Sequence, residues 1–118
     1  MTAKTAHRAL SILLCLFVPM HLLGHLAGLG GQDAFDRVQA LLRPLYRNPV
    51  VEPLLIVALL AQAVLGLWLI WQRGRKGWRP GLMRWQSLSG LIVALFVLQH
   101  IPAMLAARHL AGLDTTYW

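Results

Sequence analysis

Three histidines lie within long apolar stretches of this 118-residue chain: His21 and His25, one helical turn apart, and His100 far downstream. A neutral imidazole is a good ligand for a transition metal, and two of them on neighbouring helices can fill both axial positions of a haem iron. In that arrangement the protein supplies ligands and orientation, and the porphyrin supplies the electron chemistry. Gln62 and Gln99 are the amides in the same stretches, and Ser87 and Ser89 stand near the start of the last one. No carboxylate pair, Ser-His-Asp set, Gly-rich phosphate loop or His-Glu-x-x-His run is present, so hydrolysis and phosphoryl transfer have no support. The lone Cys15 excludes an intrachain disulfide, a Cys-based zinc site and covalent haem attachment; it reads as a packing residue.

The elements that must position these residues are three apolar runs, 9–31, 51–72 and 85–107. At 1.5 Å per residue each is long enough to cross a hydrocarbon core of about 30 Å. The chain is 58% hydrophobic and 13% charged, whereas a soluble domain carries about a quarter charged residues. Such richness in Leu, Val and Ile also excludes disorder. All 11 Lys and Arg fall outside the runs, and the only formal charge inside them is Glu52, at an end. The expectation is an all-α integral membrane protein, one domain over 1–118, its three helices forming an up-down-up bundle. The first run follows a basic start but is too long for a signal peptide, and its histidines and Pro19 favour a retained helix.

Charge gives the orientation. Lys4, Arg8, Arg73, Arg75, Lys76, Arg79 and Arg84 belong to one side, while Arg37, Arg43, Arg47 and Arg108 on the other are balanced by Asp33, Asp36, Glu52 and Asp114. The positive-inside rule puts the N-terminus and the 73–84 loop in the cytoplasm and the C-terminus outside, as in a bacterial inner membrane. The formal charge of +7 is then membrane topology, not a nucleic-acid footprint. Trp68, Trp71, Trp78 and Trp85 mark the inner boundary, and Tyr46, Tyr117 and Trp118 the outer one. Between the first two runs, Asp33 can cap a short interfacial helix with Phe35, Val38, Leu42 and Leu45 at helical spacing, ended by Pro44 and Asn48-Pro49.

Depth links the histidines. His25 lies 17 residues beyond Arg8 and His100 lies 16 beyond Arg84, so both sit about 25 Å from their inner basic anchors. They form a candidate axial pair for one b-type haem. His21, a turn below on the same face, is the alternative ligand. Gly24 and Gly28 leave room for a porphyrin edge or another helix. On the third run Ser89, Val93, Phe96, Val97, His100 and Met104 share a face, and Arg43, Arg47 or Arg108 stand at a level suited to haem propionates. Arg84, Trp85, Ser87 and Ser89 offer donors and an aromatic wall to a quinone headgroup. The plainer alternatives are interhelical hydrogen bonds for the histidines, Gln62 and Gln99, bonds back to their own helix for Ser87 and Ser89, and solvent exposure for His7 and His109.

Two stretches resemble a known family. Arg8-Ala-Leu-Ser11 through His25 is similar to the first helix, and Arg84-Trp-Gln-Ser-Leu-Ser-Gly90 through His100 to the third helix, of the membrane-anchoring cytochrome b subunit of succinate dehydrogenases and fumarate reductases, especially its five-helix, dihaem type. The resemblance implies that His25 and His100 ligate the haem farther from the soluble subunits. It also implies quinone chemistry and a flavoprotein and an iron-sulfur protein on the cytoplasmic face. Gln62 stands where that family has a histidine for a second haem, and the fourth and fifth helices have no counterpart here. One haem at most is therefore expected, together with a second membrane subunit or self-association. The rival expectation is a haem-free structural anchor or assembly protein that docks a soluble partner through its basic cytoplasmic loop.

Overall fold

The computed structural model describes residues 2–77 and 81–113. The expected aromatic positions Trp78, Tyr117 and Trp118, with Arg79 and Asp114, lie outside the described residues. Four α-helices follow in order: α1, Ala3–Leu26, prolonged by a 3-10 turn over Ala27–Gly30; α2, Gln32–Tyr46; α3, Val51–Arg75; and α4, Leu82–His109. No strand occurs among the described residues. Three of these segments, Ala3–Gly30, Val51–Arg75 and Leu82–His109, are long and apolar enough to cross a membrane. The longest dimension, 50 Å, exceeds the 40–45 Å of a bilayer with its headgroups.

The helices overrun the apolar stretches mainly at their basic ends. Thr2 caps α1 by accepting from the Thr5 N–H, so the helix starts well before residue 9 and carries Lys4, His7 and Arg8 as extra turns. Lys and Arg are good helix formers, and a charge ends the apolar run without ending the backbone ladder. At its other end α1 stops at Leu26, short of residue 31. Gly28, Gly30 and Gly31 follow, and Gly31 turns the chain with a φ of 96° that favours glycine. Asp33 is not the cap of α2, because Gly31 precedes the helix and Asp33 falls in its first turn. Nor does Pro44 end α2. It lies within the last turn, and the chain leaves the helix at Arg47. Asn48 then accepts from the Val50 and Val51 N–H groups at 3.1 and 2.8 Å and starts α3.

α3 packs against both α1 and α4. Its buried positions are small, Ala58 and Ala63, and the buried residues of the helices it packs against include Leu14 of α1 and Ala94 and Ile101 of α4. Small residues let helix backbones approach closely where lipid offers no hydrophobic drive for association. Glu52 at the start of α3 pairs with Arg108 at the end of α4, and Arg73 at the end of α3 donates to the Ser87 hydroxyl at the start of α4 (2.8 Å). On the other flank Gln62 Nε2 donates to Ser11 Oγ at 2.5 Å, and the His7 imidazole fills the notch at Gly66. The helix expected between the first two runs is α2, and it is packed rather than free-standing. It folds back along α1, with Phe35 at Gly28, Gln39 and Leu42 at Gly24, and Tyr46 against Phe17.

Candidate functional site

Spacing along α1 places Phe17, His21 and His25 on one stripe, each a turn above the last. The His21 and His25 ring centroids are 4.6 Å apart at an interplanar angle of 78°. Phe17 stacks on His21 at 5.4 Å, and Tyr46 of α2 presents its edge 6.3 Å away. Phe35 of α2 lies 6.2 Å from His25. On α4, His100 is stacked against Phe96 at 5.1 Å. All three imidazoles are half-buried. The His21–His25 pair is therefore framed by α1 and α2, and α2 closes one side of it.

Among the described residues two polar side-chain atoms are buried without a partner, His21 Nδ1 and Gln62 Oε1. An unsatisfied buried polar atom costs about 1–3 kcal/mol, so each needs a reason to persist. Close to the His21 orphan, the Tyr46 hydroxyl donates to Gln39 Oε1 at 2.8 Å. Burial raises the Tyr46 hydroxyl above its ordinary value, with Arg43 and Arg47 pulling it the other way, so the phenol stays a donor at neutral pH. Arg108 is engaged by Glu52.

The close approaches at Gly24 and Gly28 are both made by α2. A Cβ on Gly24 would meet Gln39 Nε2 at 3.0 Å, and one on Gly28 would meet Phe35 at 3.5 Å. Beside them an open cleft of about 250 Å³ is lined by His25, Gly28, Gly31, Gln32 and Phe35. Among the described residues no three His, Cys, Asp or Glu side chains converge on one point, as a bare metal ion would ask. A haem asks less of the chain, two axial ligands, flat apolar walls and cations for its carboxylates. Of the residues expected in such a site, the cleft is lined by His25 and Phe35, and His100, Phe96, Arg43 and Arg47 are not among its lining.

At the other end of α4, Ser87 is buried and doubly used, accepting from Arg73 and donating to the Met83 carbonyl at 3.0 Å. Ser89 donates to the Gln86 carbonyl and is exposed, as are Arg84 and Trp85. The structure thus turns Ser87 inward and the other three outward. Gln99 and His109 are exposed, and His7 is half-buried.

Ser11, Gln39 and Tyr46 do more in the structure than their types announce. Gln39 could have been found: Phe35, Gln39, Leu42 and Tyr46 form a helical stripe on which one polar residue interrupts apolar neighbours. The face actually buried includes Phe35 and Gln39, whereas Leu45, expected on it, is 60% exposed. The reason is that α2 meets α1 at glycines, where an amide fits into the notch. Ser11 and Gln62 form a simpler pair, and a test separates holding from function. Ser11 Oγ also donates to the His7 carbonyl, so it keeps a partner when Gln62 is lost. Gln62→Leu removes an orphaned oxygen and is expected to be near neutral. Ser11→Ala strands the amide and is expected to lower stability by about 1 kcal/mol. Thermal unfolding in detergent reads both, and a larger loss for Gln62→Leu would show that Gln62 does more than join α1 to α3.

Compared with protein-family models, with characterised proteins and with solved structures, the chain finds no match in any of the three. The site is therefore interpreted from its own geometry.

Proposed function

We propose that this chain is a membrane-embedded, haem b-binding electron-transfer subunit, its axial ligands being His100 of α4 and His25 of α1, with His21 as the alternative. The observation that supports the reading is the His21–His25 pair of α1, rings 4.6 Å apart with His21 Nδ1 buried and unpartnered, while His100 stands on α4 at a similar spacing from its own basic anchor. A haem held on both faces supplies one-electron transfer with little ligand rearrangement. Around it the chain's own residues hold and orient: Phe96 fixes the His100 ring, Tyr46 and Phe17 fix His21, and Arg43 and Arg47 offer charge to carboxylates, with Arg108 at the same end of the bundle.

The antiparallel pairs Glu52–Arg108 and Arg73–Ser87, with Ser11–Gln62, support an up-down-up course for α1, α3 and α4. The excess of bases at the Arg73 end supports placing that end and the N-terminus in the cytoplasm of a bacterium, with α2 near the outer interface. The likeness to succinate dehydrogenase and fumarate reductase cytochrome b anchors remains part of this proposal. With it come a quinone near Arg84, Trp85, Ser87 and Ser89, flavoprotein and iron-sulfur partners on the cytoplasmic face, and a second membrane subunit or copy.

The experiment is a reduced-minus-oxidised optical spectrum of the detergent-solubilised protein. A sharp low-spin α-band is expected, and its absence after haem supplementation would overturn the reading. One observation favours a haem-free anchor instead: Ser11, Gln62, Arg73 and Ser87 are all spent on joining helices, and α2 already fills the Gly24 notch. On that reading His25→Leu leaves assembly and every spectrum unchanged.

A further inference from the structure

One stripe of α3 is not used by the bundle. Val57, Val64, Trp68 and Trp71 recur at intervals of three, four and seven, share a helix face, and are 64%, 59%, 47% and 50% exposed. The stripe ends in Arg75, whose guanidinium lies over the Trp71 ring, 4.9 Å from its centroid. Trp68 supports Trp71 from a turn earlier at 4.9 Å. Arg75 is thus exposed yet folded back over the apolar helix, which sets its guanidinium at the end of the stripe. Arg73, two residues away, does the opposite and turns inward to Ser87. Lys76 is exposed beside it, and no carboxylate occurs anywhere from residue 53 to residue 113 to neutralise this end.

From this we infer that the Trp68–Trp71–Arg75 stripe is a binding site for an anionic phospholipid. The distance fits one leaflet: Val64 to Arg75 is 11 residues, about 16 Å, half of a hydrocarbon core of about 30 Å. One acyl chain lies along Val64, Trp68 and Trp71, and the phosphodiester meets the Arg75 fork, whose planar donors match two phosphate oxygens. Lys76 adds the second charge that favours an anionic headgroup over a zwitterionic one. An acidic soluble protein fits less well, because the indoles are continuous with the apolar face that acyl chains would cover.

The inference rests on α3 crossing a membrane, and the two can fail separately. The full chain in mild detergent is incubated with phosphatidylglycerol, with phosphatidylcholine of the same acyl chains, or with inorganic phosphate, and adducts are read by native mass spectrometry. Phosphatidylglycerol is expected to exceed phosphatidylcholine, and Arg75→Gln to lower its adduct about fivefold, the worth of one base at a membrane surface. Trp71→Leu keeps the charge and the apolar stripe, so a comparable loss there identifies the ring–guanidinium clamp rather than diffuse charge. Equal uptake of the two lipids, no effect of either substitution in protein that stays helical, or competition by inorganic phosphate would overturn the site. Release of the chain from membranes by alkaline carbonate would instead overturn the spanning reading.

Discussion

His100→Ala is expected to abolish the low-spin α-band of the purified protein completely, while leaving its helical content unchanged. His100 is the only histidine that α4 contributes to the cluster, and it is stacked on Phe96 rather than built into a hydrogen-bonded core. Removing a half-buried ring from such a position costs little packing, whereas removing one of two axial ligands leaves a low-spin iron impossible at that site. On α1 the two candidates are a turn apart, with rings 4.6 Å from each other, so each single alanine tests one assignment. The ligand's loss removes the band, and the other's loss leaves it. His21→Ala with His25→Ala must match His100→Ala. A double variant that keeps the band would remove α1 from the axial pair, and with it the proposed site.

The three spanning helices were legible because a membrane segment must be long and apolar, and no other arrangement places every Lys and Arg outside three such runs. Their ends were less legible. Lys4, Arg8, Arg73 and Arg75 look like loop residues by charge, yet continue the helical ladder. That His25 and His100 are similarly spaced from basic anchors is readable in the sequence; the structure adds the packing of His21 on His25 and of His100 on Phe96. What spacing could not show is which face α2 turns to α1. Its apolar positions suggested Val38 and Leu45, and the packing selected Gln39 and Tyr46 because two glycines a turn apart open a groove that an amide can enter. That Gln62 would donate between helices was legible, and it does; that Ser11 is its partner was not, because a polar pair 51 residues apart in sequence has no local signature.

Gly24→Leu is expected to be the most damaging single change to the fold, because the α1–α2 seam has no slack at this point. A Cβ there stands 3.0 Å from Gln39 Nε2 and 3.4 Å from Leu42 Cδ1. A flexible amide would normally swing away at little cost. Gln39 is only 4% exposed, however, and its other end is held by the Tyr46 hydroxyl at 2.8 Å. A branched side chain must then lift α2 off α1, at a cost of about 1–3 kcal/mol for overpacking, with about 1 kcal/mol more for the Tyr46–Gln39 bond. Gly24→Ala separates the contributions. Alanine gains about 1 kcal/mol over glycine inside a helix, and against the native seam that gain is offset by the squeezed amide. With Gln39→Ala in place the squeeze is gone, so Gly24→Ala should become stabilising, and a double-mutant cycle on thermal unfolding in detergent reads the coupling directly. Additive effects would mean that α2 yields freely at Gly24. In that case Tyr46 would not be held against His21, and the site would lose the side that α2 supplies.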